Sequence, residues 1–104
     1  MLMIVYHRTS AESADLILRD GLQDARDKYM TDREFEGVWI SDRPLDANEG
    51  VWGDVLLRID LSGLTADDLA DFEWVEDGKP HREWLVPADL LNRSGKVIVA
   101  ENDP

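Results

Sequence analysis

Three short stretches of the chain place polar side chains with chemical potential beside apolar segments. They are Tyr6-His7-Arg8-Thr9, Gly37-Val38-Trp39-Ile40-Ser41 and His81-Arg82-Glu83-Trp84-Leu85-Val86-Pro87. An imidazole can hold or move a proton, an indole can stack on a flat ring, and a carboxylate can stabilise a positive charge. The three stretches attract attention because each puts such groups at the end of a predicted strand, although each signal taken alone is weak.

Each stretch also has a purely structural interpretation. A histidine that precedes a helix is often a hydrogen-bonding residue with no other role, and Trp39 in an apolar strand is often part of a core. His81 could complete the turn that follows Pro80. The three stretches therefore have to be judged together.

Glu83 is the most informative of these residues. Side chains alternate along a strand, so His81, Glu83 and Leu85 share one face, and the residues between them share the other. A carboxylate among bulky apolar neighbours is costly to bury unless it is paired or used. The alternative is that Glu83 faces solvent on an edge strand.

The elements that position these residues follow from turn signals and periodicity. Thr9 and Glu12 have capping-box spacing ahead of Ala14, Ile17 and Leu18, so a helix is predicted to run from there to a C-cap at Gly21. Short strands are predicted at Met3–Val5, 37–41, 54–61 and 96–100, with 54–61 central in the sheet. A hairpin is predicted from 72–75 and 82–86.

The connecting segments are less regular. An exposed loop is predicted over 23–36, a turn or brief helix over 42–53, one helical turn over 64–70 and a short helical segment over 88–91. Residues 1–104 are therefore predicted to form a small single domain of the α+β class. Its sheet has about six strands in mixed or mostly antiparallel order, with one main N-terminal helix.

Composition narrows the possible partners. The formal net charge of −12 makes general nucleic-acid binding unlikely, because a phosphate backbone would be repelled. The acidity could serve solubility or a partner-binding face. The absence of cysteine excludes disulfides and thiolate zinc sites, and the N-terminal apolar stretch is too short for a signal peptide or membrane span. A cytoplasmic location without membrane contact is the expectation.

The order and spacing of the motifs resemble the ADP-ribosyltransferase fold, in both its poly(ADP-ribose) polymerase-like and RNA 2′-phosphotransferase-like branches. Those families have a first strand ending in Tyr-His-Gly-Thr or His-Gly-Ser, then a helix leading to Gly-Leu, similar to residues 6–9 and 21–22 here. Residues 37–41 look like a blend of Gly-Ile-Tyr-Phe and His-Leu-Ser. Residues 83–86 are similar to the glutamate strand of the polymerase-like branch, and residues 86–91 to the Val-Pro and short helix of the phosphotransferase branch.

The resemblance implies a split sheet and NAD+ as a substrate, with no metal required. It implies transfer of ADP-ribose to a protein or other macromolecular acceptor, or hydrolysis of NAD+. Glu83 would lie by the developing ribose cation, and His7 would hold the adenosine-side ribose hydroxyl. The resemblance assigns further binding or acceptor roles to Trp39 and Trp52 at the nicotinamide ring, Ser41 and the Arg8 backbone at the carboxamide, Thr9 beside them, and His81 on the acceptor side.

Two other functions remain open at this point. Arg8 stands where those families have glycine, and Trp39 lacks the hydroxyl of the usual tyrosine, which is compatible with a non-catalytic acidic interaction domain on the same fold. An RNA 2′-phosphotransferase-like enzyme would require Arg8, Arg43, Arg58 or Arg82 to converge.

Overall fold

The computed structural model describes residues 2–23, 25–28, 34–44, 53–74 and 81–102, and these form an α+β structure. This confirms the predicted fold class. In chain order, the elements within these ranges are β1 (Leu2–Thr9), α1 (Ala11–Asp20), β2 (Ala25–Lys28), β3 (Glu34–Ser41), β4 (Val55–Ser62), a 3-10 turn (Ala70–Phe72), β5 (Glu73–Trp74), β6 (Glu83–Val86), α2 (Ala88–Ser94) and β7 (Gly95–Asn102).

The strands form one sheet in the order β5-β6-β3-β1-β4-β7, and β2 pairs with the beginning of β3. Every recorded pairing is antiparallel. The predicted hairpin is confirmed by the β5–β6 pairing. Because β6 lies between β5 and β3, the alternative that places Glu83 on an edge strand is wrong.

The sheet is nearly divided between β1 and β3. β1 pairs with β4 along its whole length, from Leu2 opposite Ser62 to Thr9 opposite Val55. By contrast, the described residues give β1 and β3 one register pair, Tyr6 opposite Ser41. One half of the sheet is therefore β3 with β6 and β5, and the other half is β1 with β4 and β7.

The core lies between the sheet and the two helices. Trp84 and Val86 of β6 are buried with Val5 of β1, Ile59 of β4 and Leu91 of α2. A second buried cluster joins Ala14 of α1 to Val55 and Leu57 of β4. The predicted alternation along β6 is confirmed, because residues 84 and 86 face this core while 83 and 85 are only partly buried.

Helix α1 begins one residue later than predicted. Ser10, not Thr9, is the N-cap, because its hydroxyl oxygen accepts the Ser13 N–H at 3.1 Å while Thr9 still belongs to β1. Gly21 is the C-cap as predicted, with φ +91° and its N–H donated to the Ile17 carbonyl. Leu18 does not belong to the buried stripe, since 47% of it is exposed.

Several segment predictions need correction. The loop predicted over 23–36 contains β2 and the start of β3, because the backbone of this charged segment pairs as an antiparallel ladder. The helical turn predicted over 64–70 is a hydrogen-bonded turn followed by a 3-10 turn. Of the segment 42–53, residues 45–52 lie outside the described residues. No helix in the described ranges is long and apolar enough to cross a membrane.

Candidate functional site

His7 lies where β1 and β3 separate. Its ring nitrogen Nδ1 is 2.7 Å from the backbone carbonyl oxygen of Trp39. Because a carbonyl can only accept, Nδ1 must carry the hydrogen and donate it. A neutral imidazole with its hydrogen on Nδ1 presents Nε2 as a hydrogen-bond acceptor. The His7 side chain thus bonds a β3 carbonyl next to the register pair of β1 and β3, where a backbone N–H of β1 would otherwise bind it.

The environment of His7 favours the neutral form of its ring. Burial lowers the pKa of the imidazole below its ordinary value, because the charged form loses hydration, while the hydrogen bond to the Trp39 carbonyl acts in the opposite direction. Burial is the larger of the two effects. His7 is therefore suited to hold a neutral hydroxyl and poorly suited to hold an anion.

A cleft of about 220 Å³ opens beside His7, between α1 and the neighbouring ends of β1 and β3. We call it the His7 cleft. The residues that line it are His7, Thr9, Ser13, Leu16, Ile17, Gly21, Leu22, Gln23, Gly37, Val38 and Trp39. Its wall is mostly apolar, with the imidazole, two hydroxyl groups and Gln23 as polar points, which is the composition typical of a small-molecule site.

Arg8 does not line the His7 cleft. Its Nη1 donates a hydrogen bond to the Gly53 carbonyl oxygen at 3.3 Å, which draws the guanidinium toward the segment before β4. Gly53 itself packs on the end of β1 at φ +141°, where a Cβ atom would lie 2.3 Å from the Thr9 carbonyl oxygen. Only glycine allows this approach. The segment at residue 53 thus holds both Arg8 and Thr9.

A second group of functional side chains lies on β3, β6 and β5. Ser41 and Trp74 are the register partners of Glu83, and Glu83 is bonded to His81, whose Nε2 lies 2.6 Å from its Oε1. Trp39 lies on the same strand as Ser41 and is the register partner of Leu85. We call the five residues Trp39, Ser41, Trp74, His81 and Glu83 the Glu83 cluster.

Trp74 was not singled out by the sequence. Its ring meets that of Trp39 edge to face, with centroids 5.6 Å apart and an interplanar angle of 82°. The two indoles therefore make an aromatic corner beside Glu83. The predicted hairpin could have indicated Trp74. When β5 pairs with β6 so that Trp74 lies opposite Glu83, the indole of Trp74 lies on the same face as Glu83.

Ser41 has a defined orientation. It is 5% exposed, and its hydroxyl donates to the Arg43 carbonyl oxygen at 2.7 Å. With its hydrogen engaged, the hydroxyl oxygen can accept a hydrogen bond from an amide NH2. This is the polarity that a carboxamide group of a ligand would need.

His7 and Glu83 project from opposite faces of the sheet. Tyr6 and Ser41 are register partners, as are Ser41 and Glu83, so these three side chains share one face. His7 follows Tyr6 along the strand and projects toward the helices. Trp39 joins the two groups, because its carbonyl bonds His7 while its ring contacts Trp74. The three residues predicted to meet in one pocket thus meet in two groups that share Trp39.

Arg58 and Arg82 form separate ion pairs. Arg58 donates two hydrogen bonds to Asp60, at 2.8 and 2.9 Å, and Arg82 donates two to Glu73, at 2.9 and 2.7 Å. These hydrogen bonds lower the pKa values of Asp60 and Glu73. Arg8 is hydrogen-bonded to the Gly53 carbonyl instead. Because these three guanidinium groups have different partners, the arrangement does not favour an open phosphate site.

Two remaining expectations concern a ligand. Trp52, predicted to close the nicotinamide site, lies outside the described residues. In the part of the chain that the structure describes, no group of three or more acidic or histidine side chains could hold a metal ion.

Comparison with known proteins adds nothing to the geometry of these two groups. No protein-family model matches the chain, and no match was found among the curated proteins or the solved structures.

Proposed function

We propose that this protein binds NAD+ across the gap between β1 and β3 and cleaves it, as an ADP-ribosyltransferase-like enzyme. The observation that carries this proposal is the junction at Trp39. Its backbone carbonyl binds the imidazole of His7 on one face of the sheet, and its ring forms the aromatic corner beside Glu83 on the other face. Sugar hydroxyls, a flat ring and a developing positive charge are the groups that such a junction complements.

The His7 cleft is proposed to take the adenosine side of the ligand. Nε2 of His7 accepts a hydrogen bond from a ribose hydroxyl, and the neutral ring avoids the cost of burying a charge there. Thr9 and Ser13 add hydroxyl groups to the same wall. The apolar part of the lining, which includes Leu16 and Ile17, suits an uncharged purine ring.

The Glu83 cluster is proposed to take the nicotinamide riboside. The indoles of Trp39 and Trp74 pack the pyridinium ring, and the oxygen of Ser41 accepts from its carboxamide. As the bond between ribose C1′ and the ring nitrogen breaks, its electron pair leaves with nicotinamide. The carboxylate of Glu83 then stabilises the cationic ribose.

The second half of the reaction needs a nucleophile. Water, or a hydroxyl, carboxylate or guanidine group of a macromolecule, forms a bond to C1′, and any proton it releases passes to solvent. Hydrolysis yields ADP-ribose, and transfer yields an ADP-ribosylated acceptor. A ligand that contacts both groups would have to pass the end of the pairing between β1 and β3, where one register pair joins the described residues of these strands.

A non-catalytic interaction domain is the second candidate, and one observation favours it. Glu83 is not among the residues that line the His7 cleft, and His7 projects from the opposite face of the sheet. In a domain that kept the fold but no longer catalysed the reaction, His7 and Glu83 would not need to face the same ligand. Its acidic surface, with a net charge of −12, would then bind a basic partner.

Titration calorimetry with NAD+ tests the proposal, followed by chromatography for released nicotinamide. We expect saturable binding and slow nicotinamide release, with ADP-ribose competing at the His7 cleft and nicotinamide at the Glu83 cluster. His7→Phe should weaken ADP-ribose binding but spare that of nicotinamide. Absence of NAD+ binding at millimolar concentration by the folded protein would exclude the enzyme, and binding without release would favour the non-catalytic domain.

A further inference from the structure

His81 is buried against the carboxylate of Glu83. The His81 side chain is 2% exposed and that of Glu83 is 17% exposed, and the Nε2–Oε1 distance of 2.6 Å is short for a nitrogen–oxygen hydrogen bond. The two residues are two apart in sequence, and His81 lies just before the first residue of β6, so the contact is local to the start of that strand.

The position of the ring hydrogen can be assigned. Oε1 of a carboxylate is an acceptor, so Nε2 of His81 carries the hydrogen and donates it. Nδ1 of the same ring is buried and has no hydrogen-bond partner in the described part of the chain. A second N–H at that place would be a buried donor without an acceptor, which costs more than a bare nitrogen. The neutral Nε2–H form is therefore the one that fits.

We infer that His81 is a positioning residue for Glu83, holding its carboxylate in one orientation beside the aromatic corner. This inference rests on the proposed function, because the sugar cation is what the positioned carboxylate would face. The contact differs from the predicted role for His81 in acceptor choice. It also goes beyond the structural alternative, in which His81 only completes the turn after Pro80, because that role requires no hydrogen bond to Glu83.

The surroundings explain why the carboxylate needs a fixed donor. Its register neighbours are Trp74 on one side and the buried Ser41 on the other, so hydration of the carboxylate is limited. A charge-assisted hydrogen bond from an imidazole replaces part of that hydration and fixes the rotamer. In a pre-organised site, the fixed charge does not have to reorient while the sugar cation forms.

Two substitutions of His81 separate positioning from folding. His81→Leu removes the donor, and His81→Gln keeps an N–H near the place of Nε2. We expect His81→Leu to lower kcat for nicotinamide release about tenfold or more with little change in KM, and His81→Gln to restore most of it. Circular dichroism and urea unfolding report whether each variant is folded. Equal kcat in wild-type protein and a folded His81→Leu variant would overturn the inference.

A second readout does not depend on catalysis. The chain has two histidines, so protein labelled with 15N in histidine gives two ring spin systems. We expect His7 as the Nδ1–H tautomer and His81 as the Nε2–H tautomer, with the His81 signals displaced by Glu83→Gln. A Nδ1–H ring at His81, or signals unmoved by Glu83→Gln, would overturn the pairing. If NAD+ does not bind while the displacement is observed, the pairing stands, and the positioning role fails together with the proposed function.

Discussion

The His7 cleft and the Glu83 cluster are built in opposite ways. His7 is placed by one side-chain hydrogen bond at the point where two strands separate. Glu83 is placed in a strand that is paired on both sides, with β3 and β5. Both groups contain a histidine, yet the inferred tautomers are opposite, with the hydrogen on Nδ1 in His7 and on Nε2 in His81.

Under the proposed function, this difference would separate the binding of the ligand from its cleavage. A group at an opening can accommodate a ligand, because the strands beside it are not joined by a full ladder. A carboxylate that must face a developing charge gains from a rigid frame, because reorganisation during the reaction would raise the barrier. We therefore expect substitutions in the His7 cleft to affect binding, and substitutions of Glu83 and His81 to affect turnover.

The largest effect is expected from Glu83→Gln. Loss of the negative charge should lower kcat for nicotinamide release about 10²–10³-fold, by analogy with removal of a pre-organised electrostatic partner. The Kd for NAD+ should change little, because the amide has the same shape and can still hydrogen-bond a hydroxyl. Single-turnover kinetics with separately measured binding checks both values.

Glu73→Gln is the matched control for this prediction. Glu73 lies in the same hairpin, one residue before Trp74, and its carboxylate binds Arg82 outside the Glu83 cluster. We expect turnover close to that of the wild type. An equal loss of kcat in both variants would mean that the effect comes from the loss of any negative charge in the hairpin or from reduced stability of the hairpin. The distinction between the His7 cleft and the Glu83 cluster would then fail.

Gly53→Ala should have the next largest effect, on stability. Its Cβ would lie 2.3 Å from the Thr9 carbonyl oxygen at φ +141°, so the end of β1 or the segment before β4 must move. We expect a loss of about 2 kcal/mol or more in the free energy of unfolding, measured with urea.

Gly63→Ala separates strain from overlap. Gly63 has φ +79°, and a Cβ there would meet nothing within 4 Å, so this variant carries the backbone strain alone. We expect a loss of about 1 kcal/mol. If Gly53→Ala is no worse than Gly63→Ala, the close approach of residue 53 to β1 does not contribute to stability.

The sequence predicts the sheet better than it predicts the site. The antiparallel hairpin, the central strand β4 and the division of β6 into two faces all follow from periodicity, which is local. The strand in 25–28 was missed, because its composition, Ala-Arg-Asp-Lys, has no apolar alternation to indicate pairing.

The meeting of distant residues depends on register, which periodicity does not contain. The residue types at 7, 39 and 83 suggested one pocket, whereas the register pairs Tyr6–Ser41 and Ser41–Glu83 put His7 and Glu83 on opposite faces. A shift of one residue in either pairing would reverse that result. The hydrogen bond between His81 and Glu83 was not predicted either, although strand alternation had put the two on one face.

The pH dependence of stability offers a test of the neutral His7 ring. Because the folded-state pKa lies below the unfolded value of about 6.5, the unfolded chain takes up this proton first as pH falls. The contribution of His7 to stability is therefore complete above about pH 6.5 and declines below it, with a slope of at most about 1.4 kcal/mol per pH unit. His7→Gln should reduce the slope between pH 6.5 and 5, measured by urea unfolding.

The carboxylates that bind arginines should act over a different pH range. The pKa values of Asp60 and Glu73 are lowered, so their contributions are present above the ordinary carboxylate range and are lost only at more acid pH. Asp60→Asn therefore serves as the control that leaves the slope between pH 6.5 and 5 intact. An unchanged slope in His7→Gln would show that the ring is not held neutral, and the proposed acceptor role of Nε2 would lose its basis.

The smallest effect is expected at the aromatic corner. Trp74→Leu removes the edge-to-face partner of Trp39, and we expect nicotinamide affinity to fall about three- to tenfold, the usual worth of an aromatic contact. Trp74→Phe should retain most of the affinity, because a smaller ring can still meet Trp39. ADP-ribose affinity should stay unchanged in both variants, since Trp74 does not line the His7 cleft. Equal losses for the two ligands would show that the sheet, and not the corner, had been disturbed, and the division into two groups would then need revision.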